Sequence, residues 1–100
     1  MYPKTFVIER ENDAKTVFTF VSEYVAGSFQ PVWFCHLNLD KYVVLVREGA
    51  EWKALLKGLT KTYEGHGKRM HDALADLVLS HPDAGWPSIK IAVRPFAAVV

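Results

Sequence analysis

Cysteine is almost absent from this chain. Cys35 is the only one in 100 residues, which excludes an intrachain disulfide and any zinc site built from several cysteines. A lone thiol suits a reducing compartment. Long apolar runs are missing too. Uninterrupted stretches such as "YVVLV" fall far short of the ~18 residues that a membrane-spanning helix needs. The start, "MYPKTFVIER", carries no apolar segment of signal-peptide length. The expectation is a soluble, cytoplasmic protein with no membrane partner. Internal repeats, low-complexity tracts and linker-like stretches are also lacking, so residues 1–100 read as one domain.

Charge of one sign is scarce overall but unevenly spread. The formal net charge is +1, which argues against an acidic mimic of nucleic acid. Between 53 and 71, however, Lys53, Lys57, Lys61, Lys68 and Arg69 face Glu64 alone, a local balance of 5 − 1 = +4.

Apolar and aromatic residues, by contrast, are plentiful. Half the chain is apolar and thirteen residues are aromatic, well outside the range of disordered sequences. Their spacing sets the expected elements. "TFVIER" (5–10) alternates as a strand. Asn12 and Asp13 offer helix-start chemistry. Val17, Phe18, Val21, Tyr24 and Val25 then fall at helical spacing, with Gly27 placed to end the helix. "PVWFCHLNL" and "KYVVLVRE" read as a hairpin turning at "NLDK". Gly49 separates it from a helical region that begins near Glu51. A last strand, "SIKIAVR" (88–94), lies between Pro87 and Pro95.

The order β-α-β-β-α-β predicts an α+β fold of the ferredoxin-like kind. It would have one four-stranded antiparallel sheet with helices on one face. In the second helical region Trp52, Leu55, Leu56, Leu59, Tyr63, His66, Met70, Leu74, Leu77, Val78 and His81 keep a 3.6-residue spacing. Gly65 and Gly67 interrupt it, and the reading places a kink there, because each glycine costs roughly 1 kcal/mol inside a helix.

The stretch "KTYEGHGKRMHD" (61–72) invites a site reading. A phosphate loop would need a glycine where Thr62 stands and Ser or Thr where Arg69 follows Lys68. His66 and His71 are five apart and would not converge on a metal as an i,i+4 pair does. No cofactor or metal is expected. Cys35 and His36 are neighbours in a strand, so they point to opposite faces and cannot form a thiolate–base pair.

Two surfaces carry the functional expectation. On the expected helix, Lys53, Lys57 and Lys61 form an i,i+4,i+8 row, joined by Lys68 and Arg69: a basic face for an acidic protein surface or, second, for nucleic acid. On the sheet, Phe34, His36 and Tyr42 are the candidate binding residues of an open apolar face, which could also take a second copy. "KYVVLVRE" lacks the glycine and the aromatic alternation of an RNA-recognition strand. The favoured reading is therefore a small non-enzymatic binding or regulatory protein of the inhibitor or adaptor type. The alternative is a homodimeric enzyme in which His36, His66 or Tyr42 moves a proton.

Overall fold

The structure is a computed structural model that describes residues 3–11, 14–24, 31–38, 40–87 and 89–90. It is mostly sheet. Six antiparallel strands follow one another in chain order: β1 (Lys4–Glu9), β2 (Ala14–Tyr24), β3 (Pro31–Asn38), β4 (Lys41–Glu48), β5 (Glu51–Lys57) and β6 (Thr62–Gly67). One helix, α1 (Met70–Ser80), comes after them, and a two-residue strand, β7 (Ile89–Lys90), pairs with the start of β2. The sheet curls into a half-barrel around the helix. No helix among the described residues is long and apolar enough to cross a membrane.

This overturns the four-stranded ferredoxin-like expectation at two places. The first expected helix is β2. Its Thr16, Phe18 and Phe20 are buried while Val17, Thr19 and Val21 are exposed. A run so rich in β-branched and aromatic residues favours the pleated surface over the helix. The capping residues Asn12, Asp13 and Gly27, with Val25, lie outside the described residues.

The second error is larger. Residues 51–67 form a hairpin, and only Met70–Ser80 is helical. Gly49, at φ 62°, sits in the two-residue turn between β4 and β5, a backbone that suits glycine. The turn from β5 to β6 closes with the Gly58 amide donating to the Lys61 carbonyl at 3.0 Å. No kinked helix exists at Gly65–Gly67. Both glycines lie in β6 with alternate spacing, on the face that meets α1. A Cβ on Gly65 would strike the Leu77 amide nitrogen, and one on Gly67 would come within 2.5 Å of that of Ala73. The glycines let the helix backbone lie directly on the strand.

The strand expectations for residues 5–10, 31–39 and 41–48 hold where those residues are described. β1, β3 and β4 occupy the alternating runs, and β3 and β4 form a hairpin whose turn is braced by Asp40 N–H donating to Asn38 Oδ1 at 2.9 Å. The last strand is described only at Ile89–Lys90. Ile91, Val93 and the tail from Pro95 lie outside the described residues.

One face of the sheet forms the core with α1. Ile8, Phe18, Phe20, Cys35, Val43, Leu45, Ala54 and Leu56 meet Ala73, Leu74, Leu77 and Val78 of the helix. The segment after α1 completes it. Trp86 is 7% exposed, packs edge-on against Phe18 at 5.8 Å and donates from Nε1 to the His81 carbonyl at 2.7 Å. Thr16 donates through Oγ1 to the Pro87 carbonyl at 2.8 Å.

Candidate functional site: the open sheet face

Alternation along each strand sends every second side chain away from α1. The cross-strand register places Val21 against Phe34, Phe34 against Val44, Val44 against Leu55, and Leu55 against Glu64. Four apolar residues thus run in an unbroken row across β2–β5, on the face opposite the helix. Val44, in the middle, is only 6% exposed yet takes no part in the core with α1, because its row neighbours flank it. Beside this row lies a second, in which His36 pairs with Tyr42 and Tyr42 with Lys57. Tyr42 draws the two rows together: its ring centroid lies 6.4 Å from that of Phe34 and 5.9 Å from that of His36. Val7 and Val17, paired between β1 and β2, add exposed apolar surface on the same face.

The expected sheet-face residues Phe34, His36 and Tyr42 therefore stand together, with Phe34 and Tyr42 half-buried and His36 exposed. Sequence reasoning missed Val21 and Leu55, which belong to this face only once β2 and β5 are strands. Alternation did separate Cys35 from His36. The thiol is buried in the core, and desolvation there pushes its pKa up, partly offset by a backbone hydrogen bond from Thr19.

The expected basic helical face does not form. Lys53 and Lys57 sit on one face of a strand, about 13 Å apart at strand rise. Lys61 belongs to the β5–β6 turn, while Lys68 and Arg69 link β6 to α1. Two of the five cations are already engaged. Lys53 Nζ reaches Glu48 at 2.8 Å and Glu64 at 3.8 Å. The hydrogen bond that Lys53 donates to Glu48, with the charge of Glu64 further off, pushes its pKa up from the ordinary lysine value. Arg69 grips Asp72 through Nε at 2.9 Å and a second nitrogen at 3.2 Å. That contact holds the Asp72 carboxyl below its usual range and raises Arg69.

The histidines do not converge as an acid–base site. His36 and Tyr42 are neighbours on β3 and β4, but His66 lies on β6, opposite Lys53. His66 is exposed rather than half-buried on a helix stripe. His81 was not foreseen in its present role. Its ring lies 4.8 Å from that of Tyr63, and Nε2 meets the Glu64 carbonyl at 3.3 Å. Among the described residues no cluster of histidine, cysteine, aspartate or glutamate could hold a metal.

A separate cleft of about 250 Å³ opens at one end of the sheet, lined by Lys41, Lys61, Tyr63 and Asp83 among others. Lys41 Nζ donates there to the Ala84 carbonyl at 3.1 Å. Its walls come from three turns far apart in sequence, so no local motif announced it.

No known protein family, curated protein or solved structure matches the chain.

Proposed function

We propose that the chain is a binding protein that docks a protein partner on the open face of its sheet. The row Val21–Phe34–Val44–Leu55 is the observation that carries this reading. An apolar row crossing four strands, with an aromatic cluster at its side, is the composition of an interface centre rather than of ordinary surface. Phe34 and Tyr42 are the anchors, since large aromatic side chains supply most of the energy where they can be buried. His36, Lys57 and the Lys53–Glu64 pair form the polar rim.

The contact is apolar first. A preference for acidic partners loses its main support, because Glu48 and Glu64 already compensate Lys53 and Asp72 compensates Arg69. The same holds for nucleic acid. A lone, buried Cys35 suits work in the reducing cytoplasm. The reading requires no turnover.

Site-specific photo-crosslinking in source cells tests it. A benzophenone side chain at Phe34 should give one discrete protein adduct. The same group at Leu79, on the outer side of α1 and 58% exposed, should give none. Equal labelling from both positions, or none from Phe34, would remove the open face as the docking surface.

A further inference from the structure

The two edges of the sheet are treated differently. Along β6 two of the outward backbone groups are taken up by α1 and the residue that follows it. His66 N–H donates to Asp76 Oδ2 at 2.9 Å, and the Glu64 carbonyl meets His81 Nε2 at 3.3 Å. Such capping blocks the pairing of another strand. At the other edge, β1, no described residue does the same.

The direction of the β1 backbone follows from its register. Arg10 N–H donates to the Ala14 carbonyl at 2.7 Å, in line with the pairs Ile8–Thr16 and Phe6–Phe18. Antiparallel neighbours alternate between bonded and non-bonded pairs. Lys4, Phe6 and Ile8 therefore turn their N–H and C=O groups to β2, and Thr5, Val7 and Glu9 turn theirs outward. All three outward residues are exposed, Val7 by 43%.

We propose that β1 is a pairing edge and that its occupant is the β1 of a second copy, antiparallel, with Val7 on the two-fold axis. In this register Thr5 bonds Glu9 of the second copy, Val7 bonds Val7, and Glu9 bonds Thr5. Every outward amide and carbonyl of the strand finds a partner. A shift of two residues one way brings in Pro3, which has no N–H to give. On the helix side Phe6 meets Ile8 of the second copy and extends the core across the axis. On the open side the Thr5 hydroxyl lies beside the second copy's Glu9. The opposition of Lys4 and the second copy's Arg10 at the strand ends is the one unfavourable meeting.

A second copy is favoured over an unrelated strand because the pairing is self-complementary in hydrogen bonds and in apolar contacts. Blocked β6 edges close the assembly at two copies instead of allowing a fibre. The dimer joins two open faces into one continuous sheet surface and leaves the Phe34 rows uncovered. The proposal rests on the edge alone and stands or falls separately from the partner-docking reading.

Sedimentation velocity on the full chain over a wide concentration range tests it. The mass should rise from 11.3 kDa toward twice that value. Val7→Pro removes an outward amide and leaves the bonds to β2 intact, so the fold should persist with the dimer weakened at least about tenfold, a loss of ~1.4 kcal/mol. Val7→Lys, which sets two like charges at the axis, should do the same and decides the matter if the proline variant does not fold. Val21→Lys, on the same face but away from the edge, should leave the dimer unchanged. A wild-type chain that stays monomeric throughout overturns the proposal. So does a dimer that survives both Val7 variants or is lost only in Val21→Lys.

Discussion

The amide of His66 and the carboxylate of Asp76 meet at 2.9 Å across the boundary between β6 and α1. The same carboxylate accepts from Ser80 Oγ at 3.2 Å. One aspartate thereby ties β6 to the middle and the end of the helix. Its outward-facing partner would otherwise be a bare edge amide.

Asp76→Ala should therefore loosen β6 before it unfolds the protein. The expected loss is about 1 kcal/mol, since water can partly replace a bond at an exposed edge. Asp76→Asn, which keeps an acceptor, should cost less. Amide hydrogen exchange reads the local effect directly. The His66 amide should exchange faster in Asp76→Ala while the amides of β3 and β4 keep their protection, and uniform acceleration would show that the bond has no local role.

Glycine at 65 and 67 is a matter of contact rather than of backbone freedom. A methyl at Gly65 would strike the Leu77 amide nitrogen, the Leu77 Cα at 2.6 Å and the Ala73 carbonyl at 2.7 Å. All three are main-chain atoms of a packed helix and cannot swing aside. Gly65→Ala should cost about 3 kcal/mol or more, at the upper end of overpacking. Gly49→Ala meets nothing within 4 Å and carries only the left-handed backbone penalty of about 1–2 kcal/mol. Urea unfolding of the pair separates them. Similar midpoints would mean that α1 is not seated on β6 as described.

Trp86 closes the core after the helix, and truncation reads out how much that closure is worth. Trp86→Phe keeps a ring against Phe18 and gives up the bond to the His81 carbonyl, so about 1 kcal/mol should be lost. Trp86→Ala removes the ring as well and should cost about 3–5 kcal/mol. Thermal melts of both variants check the order. Equal losses would assign the whole contribution to the hydrogen bond.

How much of this was legible in the sequence depends on whether two periodicities competed. β1, β3 and β4 alternate with no helical pattern to rival them, and the division of Phe34 and His36 from Cys35 followed. In β2, Val17, Phe18, Val21 and Tyr24 sit at helical spacing, while Thr16, Phe18 and Phe20 sit at strand spacing. Tertiary burial chose the second. In 51–67 the coincidence was deeper, since Trp52, Leu55, Leu56, Leu59 and Tyr63 satisfy a helix stripe and are divided by a turn at Gly58–Lys61.

The glycines of "EGHG" held the discriminating signal. Two glycines two residues apart weaken a helix, but on a strand they clear one face. The basic row vanished with the helix that would have aligned it. Alternation divided Phe34 and His36 from Cys35 but left open which set would face the helices, and the packing of α1 on the Cys35 side decided it. Leu55 and Val21 could not be placed beside Phe34 and Tyr42 while their strands were taken for helices. The turn-lined cleft and the capped edge at His66 depend on long-range packing, which no local pattern carries.

The contact between Arg69 and Asp72 opens the helix and sets a dependence on acid. Arg69 donates to both carboxylate oxygens, and this holds the Asp72 pKa below its ordinary value of 3.8. A carboxyl whose folded pKa is depressed stabilises the fold at every pH above its unfolded value. That contribution fades as the pH falls from the ordinary carboxylate range through the folded pKa. Its location in the first turn, where negative charge suits the helix end, acts in the same direction. Arg69→Gln should remove the cation-dependent part. The wild type should be the more stable of the two near neutrality, by a constant margin that shrinks once the pH drops below about 4. Arg69 is exposed and Asp72 partly so, and solvent ions reach the pair, so the margin should also narrow at high ionic strength. Chemical denaturation of the two proteins across the acid range measures it. A margin that persists unchanged at the acid end would assign it to the packing of the Arg69 side chain and leave the ion pair without a part in stability.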